Sequence, residues 1–182
     1  MITQSQQTPH QAQSDGPRIY VACLAAYNNG HLYGKWIDAD QDAKTIQSNI
    51  TTMLAASPIP NAEEWAIHDC EGFEGADIQE YSGIETVAKL AAFVSEHGEL
   101  GGKLLANFNG ELEDAEAAFD EYAGEHKSLA DFAQDLIEQS TKIPENLVNY
   151  IDYDAIARDM ELNGDVFTIE LGFESVHIFW SR

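Results

Sequence analysis

The stretch GELEDAEAAFDEYAGE, residues 110 to 125, packs seven carboxylates into sixteen positions with no lysine or arginine. A segment this acidic must keep its charges in water, because an ionised carboxylate without a partner is costly to bury. Leu112, Ala115, Phe119 and Tyr122 fall on one helical stripe and supply an apolar side. The spacing therefore predicts an amphipathic helix that is held down by those four residues, with its acids outward. The charges oppose that helix. Glu111/Asp114, Glu113/Glu116, Glu116/Asp120 and Glu121/Glu125 are like-charge pairs three or four residues apart. At about 0.2–0.5 kcal/mol each they cost roughly 1–2 kcal/mol. The helix dipole favours Glu111, Glu113 and Asp114 at the N-terminus, but Asp120, Glu121 and Glu125 stand at its negative end.

The acidity is concentrated. The 182 residues hold 32 acids and 9 bases, a net charge of -23, yet residues 1–60 carry only -1, residues 61–125 carry -15 and residues 126–182 carry -7. Adaptation to high salt would acidify the whole chain, so the middle third points to an external reader. Charge of this sign argues against nucleic acid or an anionic membrane as a direct ligand. It favours cationic partners: metal ions, basic proteins, or proteins that themselves hold DNA. Apolar residues at 44% are enough for a core. No apolar run reaches membrane-spanning length and no basic-then-apolar signal opens the chain. With Cys23 and Cys70 as the cysteines, a cytoplasmic protein with thiols is expected.

Along the chain, residues 1–17 are Gln/Ser-rich and read as a disordered tail. RIYVACLAAY (18–27) and HLYGKWID (31–38) read as a hairpin about the NNG turn, and EEWAIHDC (63–70) as a third, alternating strand. Helices are expected over 42–57, over 84–98 with Gly98 as its C-terminal cap, and around KLLANF. Further helices are expected over 128–140 behind a Ser128 cap, and as one helix or a pair over 144–164. DVFTIEL (165–171) and SVHIFWSR (175–182) read as a terminal hairpin. Strands, helices, then strands imply an α+β chain of three small modules. These are an N-terminal sheet-plus-helix module (18–82), an acidic helical middle (83–124) and C-terminal helices with a short sheet (125–182).

Catalytic and metal signals are weak. Asp38, Asp40 and Asp42 begin like a calcium loop, but Ala43 and Asn49 stand where that loop requires glycine and a bidentate glutamate. Acids at a helix N-terminus explain them better. His68 and Cys70 lack a second ligand pair at zinc spacing. There is no nucleophile elbow and no phosphate-cradling glycine loop. No catalytic residue, metal site or cofactor is expected, and the protein is expected not to be an enzyme. A calcium-responsive, acidic cation-binding module is the alternative.

The acid spacing suggests what the external reader is. Carboxylates three or four residues apart on a helix lie about 5–6 Å from one another. Duplex DNA carries one charge per about 1.7 Å of axis, so a charge of -23 imitates roughly 40 Å of duplex and a symmetric dimer roughly 80 Å. Chosen by charge density, the phosphate-like positions are Glu74, Asp77, Glu80, Glu85, Glu96, Glu99, Glu111, Glu113, Asp114, Glu116, Asp120, Glu121 and Glu125.

The segments YVACLAAYNNGHLYGKWID (20–38), EEWAIHDCEGF (63–73), EYSGIETVAKL (80–90), LADFAQDLIE (129–138) and NLVNYIDYDAIARDMELNG (146–164) resemble the ArdA antirestriction proteins of conjugative plasmids and transposons. The resemblance implies an elongated, three-module DNA mimic that forms a homodimer. It would occupy the DNA-binding groove of the methyltransferase core of type I restriction–modification enzymes and protect incoming unmodified DNA. By correspondence, the dimer contact falls around GEHKSLADF (124–132), at Glu125, His126, Lys127, Ser128 and Phe132.

Overall fold

The computed structural model describes residues 16–181. Of the expected tail only Gly16 and Pro17 are described. Residues 1–15 lie outside, and the Pro17 carbonyl accepts a hydrogen bond from the Ala39 N–H at 2.9 Å. The fold is α+β, with two small antiparallel sheets and six α-helices among the described residues. The chain divides into two compact units. The first comprises the residues up to Phe73 together with Ile78–Glu96, and the second comprises Glu74–Asp77 and the residues from His97 onward.

In the first unit, β1 (Arg18–Cys23) lies between β2 (Gly34–Asp38) and β3 (Trp65–Glu71), antiparallel to both. The expected first strand runs to Tyr27, but the chain turns helical at Leu24 as α1 (Leu24–Asn28). The good helix formers Leu24, Ala25 and Ala26 win there over β propensity. The β1–β2 connection is thus a helical turn closed by Gly30 (φ 79°) rather than a tight hairpin. The alternation expected in β3 also fails, since Ala66 and Ile67 are both buried. Val21 pairs with Ile67 but Tyr20 with Asp69, so His68 is an extra, bulged residue that flips the pattern after it. α2 (Ala43–Ala55) buries Ile46, Ile50 and Met53. The N-terminal half of α3 (Ile84–Asn107) buries Val87, Leu90 and Val94.

Gly98 adopts the positive φ expected of a cap, at 61°, with a non-helical ψ of -145°, so the span Ile84–Asn107 is two helices that meet at a kink there, the first ending at Gly98 as expected. In the second unit, β6 (Ser175–Trp180) is central, flanked by β4 (Tyr122–His126) and β5 (Val166–Gly172). α4 (Leu112–Phe119) precedes β4, and α5 (Leu129–Ser140) and α6 (Tyr153–Leu162) follow it. Phe132, Val166 and Ile178 form a core cluster, with Leu129, Leu136, Met160 and Trp180 packed against it. Ser128 caps α5 as expected, accepting from the Asp131 N–H at 3.1 Å. Residues 144–164 are helical only as a three-residue 3-10 turn (Val148–Tyr150) and α6, because the side chain of Asp152 accepts from the Ala155 N–H and starts a new helix there. Asn163 and Gly164 (φ 72°) close α6.

Asp42 caps α2, accepting hydrogen bonds from the Thr45 hydroxyl and from the Thr45 N–H. These bonds, the side-chain one foremost, hold its carboxyl below the ordinary value of 3.8. A carboxyl lowered on folding stabilises above its unfolded pKa, and that contribution is lost as pH falls through the lowered value. Asp42→Asn should therefore melt below wild type near pH 7, with the gap narrowing as the pH falls below 3.8, as read by circular dichroism across a pH series.

Candidate functional site

The acidic stretch does not fold as one helix. α4 ends at Phe119, Asp120 is its C-cap, and Tyr122 begins a strand. Gly124, at φ 124°, lies at the register shift between Tyr122 and Gly124 in the pairing of β4 with β6. The physical reason lies in the conflict that the sequence poses. Three more acids at the negative end of the dipole would oppose further turns, and the chain leaves the helix before Glu121 and Glu125. Glu111 takes the N-cap position, while Glu113 and Asp114 occupy the first turn, where the dipole favours them.

An aromatic cluster secures this turn from below. The Phe119 ring stacks on His97 at 4.1 Å and meets Phe179 edge-on at 6.0 Å. Tyr122 lies 5.1 Å from Phe179, and its hydroxyl stands 2.7 Å from Nδ1 of His177, a buried polar side chain. Burial first, and then the charge of Glu125, push the Tyr122 phenol above its ordinary 10.0. The raised phenol keeps its proton near neutral pH. Of the expected stripe, Ala115 is buried, Leu112 and Phe119 are half-buried, and Tyr122, a strand residue, is exposed.

Of the thirteen candidate carboxylates, all are exposed except Glu121, which is half-buried and whose backbone carbonyl accepts from the Trp180 N–H at 2.9 Å. Glu80, Glu85 and Glu96 belong to the first unit and the other ten to the second. Glu80 is fixed through its carbonyl, which accepts from the Ile67 N–H, and its carboxylate raises the Tyr81 phenol through a hydrogen bond. Glu99 pairs with Lys103 at 3.1 Å, and Glu125 accepts from the Ser175 hydroxyl at 2.6 Å. Among the described residues no ion pair engages Glu111, Glu113, Asp114 or Glu116. The acids after Glu125, eleven in number, are also all exposed, so the acidic surface extends beyond the densest stretch of sequence. A density window passes over them because they are spread through 57 residues.

Glu74 is held by a device that the sequence reading missed. Glu74 sits at φ 52°, and a Cβ on Gly102 of α3 would lie 2.4 Å from the Glu74 Cβ and 2.5 Å from its carbonyl oxygen. The Gly101–Gly102 doublet in α3 is the signal for such a close approach.

The expected dimer-contact residues gather at one corner of the second unit. Glu125 and His126 end β4, an edge strand; Lys127 follows, and Ser128 starts α5. The His126 ring meets Phe132 edge-on at 5.2 Å and its Nδ1 lies 3.6 Å from Asp135. Phe132 itself is in the core. Asp42 of the calcium-like stretch serves as a helix cap, and among the described residues no three His, Cys, Asp or Glu side chains could hold a metal ion together. Cys23 is a buried thiol 3.4 Å from the Ser57 hydroxyl. Among the described residues no helix is long and apolar enough to cross a membrane.

An α+β chain whose exposed carboxylates far outnumber its cations presents a strongly acidic surface. It belongs to the ArdA family: the family's sequence model, described as antirestriction protein (ArdA), matches residues 19–175 of the 182. Membership makes antirestriction its functional class and restriction enzymes its general partners, and it is not that of a known enzyme family. None of the curated proteins matches the chain.

The Gly102 contact generates a prediction. Alanine in a helix interior ordinarily gains about 1 kcal/mol over glycine. Gly102→Ala should instead lower the melting temperature, because its methyl group would collide with the backbone of Glu74. A melting temperature at or above wild type would show that the 74–77 segment yields freely.

Proposed function

We propose that this protein acts as a DNA mimic that occupies the DNA-binding groove of type I restriction–modification enzymes, with its exposed carboxylates standing in for phosphates. The observation that carries the reading is the set Glu111, Glu113, Asp114 and Glu116: exposed, on one short helix, with no ion pair among the described residues. Glu113 and Asp114 gain only the modest favour of the helix N-terminus, and with no cation paired to any of the four their field is left for a partner. A basic groove would bind such a surface by releasing the same counterions that it releases on binding DNA. Glu74, Asp77, Glu80, Glu85, Glu96, Glu99, Asp120, Glu121 and Glu125 extend the field in this reading. No cofactor takes part and no bond is made or broken. The protein works in the cytoplasm, where incoming plasmid or transposon DNA meets restriction.

The protein should displace labelled duplex DNA from a type I methyltransferase core. Its affinity should fall on the order of 10³-fold between about 50 and 200 mM salt, as it does for ligands that make many phosphate-like contacts. Single Glu→Gln changes at Glu113 or Glu116 should alter that affinity less than about threefold, because each exposed charge contributes little by itself. Failure to displace DNA at low salt would sink the reading, and a large loss from one neutralisation would contradict a field shared among many groups.

The same reading makes the protein a homodimer through the corner at Glu125, His126, Lys127, Ser128 and Phe132. An edge strand with open backbone groups supports this, since such edges pair readily. Light scattering at micromolar concentration should give about twice the 20.1 kDa chain mass, and a mass of one chain would refute the dimer.

A further inference from the structure

Leu147, Val148 and Tyr150 lie in the connection between α5 and α6. All three are exposed, Tyr150 by 84%. As part of an amphipathic helix they would have a buried side. The chain forms only a 3-10 turn there, with the Tyr150 N–H bonded to the Leu147 carbonyl and no buried residue in the turn. Apolar side chains clustered in water mark a contact surface more often than scattered ones do.

The surroundings specify what can cover them. Residues 143–154 contain Glu145, Asp152 and Asp154 and no lysine or arginine; Lys142 and Arg158 are the nearest cations in sequence. A groove of about 460 Å³ runs beside Tyr150, lined by Asp131, Gln134, Asp152, Tyr153 and Asp154 among others. The patch is thus apolar with an acidic rim. A second copy seated symmetrically on it would set this acidic rim against an identical rim, whereas the corner at Glu125 also carries His126 and Lys127. Nucleic acid and anionic lipid carry the wrong sign as well. The matching occupant is a protein surface with an apolar pocket and a basic rim.

We infer that Leu147, Val148 and Tyr150 form an apolar anchor that docks into such a pocket on the same basic partner that the carboxylates attract. The inference rests on the DNA-mimic reading and deepens it by adding a contact that duplex DNA does not make. Salt screens the carboxylates but not burial of apolar surface. The anchor therefore sets a part of the affinity that remains when salt rises.

The test uses the full chain, a type I methyltransferase core and labelled duplex DNA, with competition measured across a salt series. Leu147→Ser combined with Tyr150→Ser should weaken competition about tenfold at every salt concentration, the size of loss expected from a well-packed contact residue. The slope of log affinity against log salt should stay that of wild type. Both side chains are exposed, so the melting temperature should hold; if the double variant melts early, Tyr150→Ser alone should show the same parallel loss. Affinity equal to wild type at all salts, or a changed slope without a parallel loss, would overturn the anchor. So would a dimer that the substitutions split into monomers, because a second copy would then cover the patch. A wild-type protein that never displaces DNA removes the mimic reading and the anchor together; a competing wild type matched by its variants removes the anchor alone.

Discussion

Carboxylates that lack cations must stay in water, and that constraint shapes everything else in this molecule. With 32 acids and 9 bases, few side chains can be neutralised within the fold, so burial falls to short apolar runs between charged positions. Ile46, Ile50 and Met53 provide it for α2, and Phe132 and Ala133 for α5. Small sheets with helices of modest length suit such a chain, because each element needs only one narrow covered face. The electrostatic cost of crowding like charges is met by exposure and by helix ends that favour them. It is not met by ion pairs such as Glu99–Lys103, which at an exposed site contribute about 0–1 kcal/mol.

The end of α4 shows the constraint at work. A longer helix would have set Asp120, Glu121 and Glu125 against the negative pole and against one another. The chain instead turns, and Tyr122 enters a strand where its ring meets Phe179 and its hydroxyl meets His177. The aromatic cluster offsets what the helix gives up. The same turn brings Glu125 to an edge strand and gives the acidic surface two local geometries, a helical one before Asp120 and an extended one after it.

Local chemistry made some of this legible in the sequence. Ser128 announced α5, Asn163-Gly164 its close relative at the end of α6, and the spacing of Ile46, Ile50 and Met53 announced α2. What escaped depends on partners distant in sequence. The bulge at His68 exists only against Tyr20 and Val21 of β1, so no pattern within β3 could reveal it. Tyr122 fits a helical stripe as well as it fits a strand, and its pairing with Phe179, 57 positions away, decides the matter. The candidate surface was legible as a density of acids, because charge predicts exposure well. Its supports were not: Gly102 beneath Glu74 is visible only once the two segments meet.

The interleaving of the two units has a consequence for how the protein is made. The chain passes between them after Phe73, after Asp77 and again after Glu96, so neither unit is a continuous piece of sequence. Domains fold as they emerge from the ribosome, N-terminal first. The first unit gains its last segment only when Glu96 has emerged, and by then Glu74–Asp77 has already been synthesised without Gly102 to rest on. Those four residues wait as an unfilled loop until α3 is complete. Until Gly102 has emerged from the ribosome, Glu74 therefore lacks the helix backbone that it meets in the finished protein.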